Sequence, residues 1–232
     1  MASTTIMFRL LSIVLLSCSA ISWACKDGVD NVIKVTDTTN GKGKIIFEGV
    51  EIWTYDKDKQ PSCVGSSAKR RANFLLPGHF KVAKGQVNIK EGVKENPNKP
   101  LQLVLNVEKQ SWLIGVVCEN GVSKNQFVPN ELCKFDFCKI AGEKCGLLGN
   151  KTPGPIDLSL IVSQDLIDIG PMPIPQLGGD WKVSANILDG KKVVAGVRLG
   201  PKNDWISIET EEGAGGEVKY ESVPGSENHD EL

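Results

Sequence analysis

The chain alternates. In "LQLVLNVEK", Leu101, Leu103, Leu105 and Val107 fall on one side, with Gln102, Asn106 and Glu108 opposite, the period-two spacing of a half-buried strand. "WKVSANIL" sets Trp181, Val183, Ala185 and Ile187 against Lys182, Ser184 and Asn186. Asp189-Gly190 follows, a dipeptide suited to a tight hairpin turn, and "KVVAGVRL" supplies the return strand. "DWISIET" alternates less regularly, and "KIIFEGVEIWTY", "KVAKGQVNIK", "SWLIGVVC" and "IDLSLIV" are further strand candidates. The total is about eight strands separated by turn residues. Beyond the N-terminal segment, the one helical candidate is a turn or two around "ELCKFDFCKIAG". The pattern predicts an all-β fold, either a sandwich or a partly open β-cup. Period two alone does not separate a filled core from a hollow one.

One stretch breaks the alternation. In "DLIDIGPMPIPQLGGDW", every residue from Ile169 to Leu177 is apolar, Gly or Pro except Gln176. Pro171, Pro173 and Pro175 bar a helix or a central strand. The expected structure is a loop between a strand ending near Val162 and the hairpin that opens at Trp181. Gly178 and Gly179 allow a hinge. Ile169, Met172, Ile174 and Leu177 are expected to face away from the core, a surface for lipid or for a protein partner.

The two ends change the picture of size and compartment. After Arg9, "LLSIVLLSCSAIS" is apolar but too short for a stop-transfer helix, and Ser22 and Ala24 supply small residues before Cys25. Residues 1–24 therefore read as a secretory signal peptide rather than a short membrane anchor. The chain ends in His229, Asp230, Glu231 and Leu232, an address read by a retrieval receptor of the endoplasmic reticulum. Residues 211–232 are acidic and rich in Gly and Ser, an expected flexible leash for that address. One domain remains, residues 25–210, of the 232 in the chain.

Of seven cysteines, Cys18 belongs to the signal segment. The other six are Cys25, Cys63, Cys118, Cys133, Cys138 and Cys145, an even set that implies disulfides in an oxidising lumen. Six cysteines allow about fifteen pairings, and spacing does not choose among them. A four-cysteine zinc site is the rival, without the C-x2-C knuckle such sites favour. "NKT" places a glycan acceptor at Asn150.

Candidate chemistry is sparse. Net charge is −1, with no basic stripe for nucleic acid. "KRR" at Lys69–Arg71 is a solvated loop that could also meet anionic headgroups. The domain's single histidine, His79, follows a Pro-Gly turn, and paired cysteines are not nucleophiles. No phosphate-cradling loop or metal cluster is evident. The expectation is a non-enzyme without cofactor.

From "LVLNVEKQSWLIGVVC" to "DWISIE", the order of features resembles a known family. A strand is followed by a Trp-containing strand ending in Cys118. Then come the cysteine-rich "CKFDFCKIAGEKC", a Pro-rich apolar loop and the hairpin "GDWKVSANILDGKKVVAGVRL". This is similar to the ganglioside GM2 activator branch of the ML lipid-recognition domain family. The resemblance covers Leu101 to Glu209 clearly and Cys25 to Lys90 by strand pattern only.

The resemblance implies an immunoglobulin-like β-cup with an apolar cavity that holds the acyl chains of a glycolipid or phospholipid. It implies a lipid-transfer role, transient contact with a membrane surface and presentation of the lipid to a hydrolase. The family's mobile rim loop maps onto Ile167 to Leu177, and its rim aromatic onto Trp112. The implied lining is Leu103, Leu105, Trp181 and Val183, extended by Leu101, Val107 and Ile187. Cys118–Cys133 follows by position. The family's partner for the N-terminal cysteine is missing from the last hairpin, which leaves Cys63 for Cys25 and Cys138–Cys145 as the residual pair. The C-terminal address argues against steady lysosomal residence. A second function class remains, a non-enzymatic interaction module that uses the apolar loop to hold a protein partner.

Overall fold

The computed structural model describes residues 25–66, 68–94, 96, 98–149, 154–160, 162, 165–170, 177–201 and 204–210. The signal segment, Asn150, Met172, Ile174 and the C-terminal address lie outside these. The described chain is a disulfide-stabilised all-β sandwich.

Fourteen strands are described: β1 (Val32–Asp37), β2 (Ile45–Asp56), β3 (Cys63–Val64), β4 (Arg71–Leu76), β5 (Gly78–Ile89), β6 (Gln102–Lys109), β7 (Val116–Glu119), β8 (Val122–Ser123), β9 (Lys134–Asp136), β10 (Gly154–Asp157), β11 (Ile167–Ile169), β12 (Gly179–Asp189), β13 (Lys192–Leu199) and β14 (Ile206–Thr210). The excess over eight comes mostly from two- to four-residue pieces, too short to show a period. One layer runs β1–β2–β5, with β10 and β11 on the far edge of β5. The other runs β1–β13–β12–β6, with β7 and β9 beyond β6. Strand β14 also pairs with the start of β12 and carries β4 in parallel.

Strand β1 belongs to both layers. Val32, Ile33 and Lys34 pair with β2, whereas Val35, Thr36 and Asp37 pair with β13. The two sheets are thus joined along one side by continuous hydrogen bonding. The opposite side is bridged by the helical connection, a short helix Phe137–Ala141 followed by 3-10 turns through Gly149. Asp136 caps that helix, its carboxylate accepting from the Cys138 and Lys139 N–H groups.

Several expected strands end early for local reasons. Of "SWLIGVVC" only its last three residues are strand, the start of Val116–Glu119. Ser111 folds the first half into a turn, its Oγ accepting from the Leu113 and Ile114 N–H groups and its carbonyl from Gly115. In "IDLSLIV" the strand stops at Asp157, whose carboxylate accepts the Ser159 N–H and starts a 3-10 turn, Leu158–Leu160. The β12–β13 hairpin pairs Asp189 with Lys192, so its two-residue turn is Gly190-Lys191, one position later than expected. Gly190 supplies the positive φ, +62°. Asn120-Gly121, with φ of +50° and +77°, makes the β7–β8 hairpin turn that the sequence reading passed over.

Two apolar clusters lie between the sheets. The first gathers Ile45, Ile89, Leu101, Ile187 and Val194, closed at the side by Cys138, Cys145 and Leu148. The second gathers Ile33, Leu76, Val117, Leu177, Trp181 and Ile206. The cysteines pair as Cys25–Cys63, Cys118–Cys133 and Cys138–Cys145, the pairing the resemblance implies. The four clustered cysteines are therefore bonded to one another, which removes them as zinc ligands. Three disulfides fit an oxidising secretory or lumenal environment. No helix among the described residues is long and apolar enough to cross a membrane.

Candidate functional site

The inner faces of the two sheets are set by alternation. On β12, Val183 and Ala185 share the side of buried Trp181 and Ile187. Across β6, Val107 pairs with Val183, Leu105 with Ala185 and Leu103 with Ile187, so these side chains share that face. On the facing sheet, Ile52 pairs with Val82 and Thr54 with Phe80. Between the two clusters, none of the inward apolar residues Ile52, Phe80, Val82, Leu105, Val107 and Val183 is fully buried. Central strands of a filled sandwich bury their inward residues outright. Here Ile52, Leu105, Val107 and Val183 are half-buried where they pack against the second cluster, and Val82 where it packs against the first.

The second cluster is where the sequence's rim residues converge. Strand β11 pairs Ile167 with Phe80 and Ile169 with Gly78. The rim loop expected over Ile167 to Leu177 thus begins as an edge strand, and half-buried Ile169 packs against the second cluster. Phe80 meets Phe74 edge-on at 6.3 Å, and Phe74 pairs with Ile208, itself paired to Gly179. Leu177 is 8% exposed and packs in the core, so its expected outward direction is corrected. The cause is local: the Trp181 indole donates to the Leu177 carbonyl at 2.8 Å and draws that turn under the sheet. Both flanks of the Pro-rich run are therefore anchored in one cluster. Met172 and Ile174 lie outside the described residues.

Trp112 lies 96% exposed and Leu113 66% exposed on the Ser111 turn. That turn is fixed to the same end, since the Gln110 N–H bonds to the Asp180 carbonyl and the Lys109 N–H to the Gly115 carbonyl. Lys109 itself is buried, with its ammonium 5.4 Å from the Trp181 ring. Burial holds its pKa below the ordinary lysine value. Lys109 continues the alternation of Leu103, Leu105 and Val107 onto the inward face, opposite Trp181, and its charge is what hides it in the sequence.

The other polar candidates are paired within the fold. His79 Nδ1 lies 2.9 Å from the Asp56 carbonyl and Nε2 3.8 Å from Asp168, between β5 and its neighbours. The "KRR" run is not wholly solvated: Arg70 pairs with Asp30 at 3.1 Å with both mostly buried, and Arg71 pairs with Asp180 at 2.7 Å. Among the described residues no three side chains form a metal-binding group. With this geometry in hand, the chain was compared with known proteins, and neither a family model nor a curated protein matches it.

Proposed function

We propose that the chain is a non-enzymatic lipid-binding and lipid-transfer protein of the secretory lumen. Acyl chains of a glycolipid or phospholipid occupy the apolar band between the sheets. The observation that carries this reading is that inward-facing Leu105, Val107, Val183, Ile52, Phe80 and Val82, at the margins of the two clusters, are only half-buried. Each methylene moved there from water is worth about 0.8 kcal/mol. A lipid already in a bilayer gains little from the exchange, so the protein's contribution is to lower the barrier to leaving.

The exposed Trp112–Leu113 pair and the Pro-rich run supply that contribution by entering the headgroup region. Transfer to a hydrolase, retrieval through the C-terminal His229–Leu232 address and a glycan on Asn150 complete the proposed role. The test has two parts. Lipid extracted from the protein purified from its native compartment is expected at near one molecule per chain by mass spectrometry. Trp112→Asp is expected to reduce binding to phospholipid vesicles about tenfold or more with unchanged melting temperature. A protein free of lipid that also ignores vesicles, yet loses a protein partner on Trp112→Asp, would establish the interaction module instead.

A further inference from the structure

Strand β11 lies on the edge of the first sheet, antiparallel to β5 and only three residues long. Its alternation gives it two sides. Ile167 falls on the side of Phe80, and Ile169 on that same side packs against the second cluster. Asp168 falls on the other side, opposite His79, on the outer face of the sheet. The His79 side chain is 15% exposed there, with Asp168 on one flank and Tyr55 of β2 on the other.

One contact sets the tautomer of the ring. Nδ1 lies 2.9 Å from the Asp56 carbonyl oxygen, which only accepts, so Nδ1 carries a proton in either charge state. In the neutral ring Nε2 is then a bare acceptor. It lies 3.8 Å from a carboxylate oxygen of Asp168, and two acceptors make no bond. A proton on Nε2 reverses this. A donor with positive charge then faces the carboxylate, and a small turn of the exposed Asp168 side chain closes the distance.

The other charges around the ring are engaged elsewhere. The Asp56 carboxylate accepts the Asp58 and Gln60 N–H groups. Lys81, two residues along β5, holds its ammonium 4.7 Å from the Trp53 ring and 5.3 Å from the Tyr55 ring. Asp27 acts on the Tyr55 phenol. Lys57, next to Asp56, and Asp165, just before β11, have partners of their own. Among the other elements that touch β5, the 3-10 turn Leu158–Leu160 has no titratable group, Arg71 of β4 pairs with Asp180, and Asp157 of β10 lies far along β5, opposite Gln86.

We propose that His79 is a pH-dependent clasp for β11. Protonation at Nε2 makes a charge-assisted hydrogen bond to Asp168, which fastens the edge strand to β5 and holds Ile169 on the second cluster. An imidazole gains its proton within about pH 5–8, so the bond forms as pH falls through that range and is lost as pH rises. A partly exposed ion pair shifts an equilibrium by up to about fivefold, a large effect on a strand with so short a ladder. The inference does not rest on what the interior binds.

The test is amide hydrogen exchange of the 15N-labelled, disulfide-bonded protein, each rate referred to its intrinsic value at that pH. Protection at 167–169 is expected to rise about threefold between about pH 7.5 and about pH 5.5, with 183–187 of β12 unchanged. The rise is expected to vanish in His79→Gln and in Asp168→Asn. Asp168 is exposed, so its variant keeps the fold even where His79→Gln does not. Ring 15N shifts at the higher pH are expected to place the proton on Nδ1. The proposal is overturned by equal protection of β11 at both pH values, by a rise that β12 shares, by a rise that survives Asp168→Asn, or by a neutral ring protonated on Nε2.

Discussion

Val183 faces the same side of its strand as Trp181 and Ile187, yet it alone of the three keeps partial exposure. Enlarging it therefore distinguishes an open interior from a filled one. In a filled core, Val183→Phe costs roughly 1–3 kcal/mol through overpacking. On the proposed lipid-binding reading the added ring is tolerated, and the expected outcome is an unchanged urea midpoint with lipid uptake cut at least about fivefold. Ile89 is the contrasting case at 1% exposure, where Ile89→Ala should destabilise by about 2–5 kcal/mol in the same measurement. A third residue links stability to pH. The Lys26 backbone N–H and then the Arg70 guanidinium hold the Asp30 carboxyl below its ordinary value. A folded pKa below the unfolded one gives stability that is present above about pH 4 and lost as pH falls through the folded value. Asp30→Asn should therefore lower the urea midpoint at pH 7, and the difference from the parent protein should shrink as pH falls through the depressed folded pKa. Of these three residues, only Val183 was legible beforehand. Its face followed from alternation, whereas the burial of Asp30 depends on Arg70, forty positions away.

At the scale of elements, long strands were legible and short ones were not. The strands β2, β5, β6, β12 and β13 carry enough residues to display a period. Strands β3, β8, β9 and β11 are two or three residues long and exist because a neighbouring edge was free to pair. "SWLIGVVC" misled for a different reason, since a serine hydroxyl competing for backbone N–H groups outweighs β propensity in a run this short. Glycines that hold the strands in register were also hidden. Gly85 has φ of +124°, and a Cβ there would lie 2.6 Å from the Val50 backbone, at the irregularity where β2 and β5 shift register. Gly85→Ala is expected to destabilise by roughly 1–3 kcal/mol, seen as a lower urea midpoint with an unchanged slope.

For the whole molecule, covalent closure matters as much as packing. Cys25–Cys63 spans 38 positions and Cys138–Cys145 spans 7. Loop-closure entropy makes the first worth about 4 kcal/mol and the second about 2 kcal/mol. Serine pairs at each bridge should reproduce that order in urea unfolding, and an inverted order would refute the entropic account. The pairing itself was legible only through the family resemblance, because six cysteines leave the choice open. The candidate site was legible in part. Trp112, Leu105 and Val183 were named from pattern and resemblance. Leu177 was misjudged because its direction is set by one indole hydrogen bond rather than by the prolines around it. The division of the interior into two clusters leaves no trace in a period-two sequence.

The strand shared by both sheets restricts how the molecule can breathe. Val32–Lys34 and Val35–Asp37 are stitched to opposite layers, so the layers cannot slide or part along that side without breaking backbone ladders. The far side is strapped beside the first cluster by the helical connection with its own disulfide. The freedom that is left is a hinging of the layers about β1, away from the strapped end. On the proposed lipid-binding reading, cargo of increasing girth would then be accommodated by angle rather than by depth, with the strapped end serving as a fixed stop for chain length.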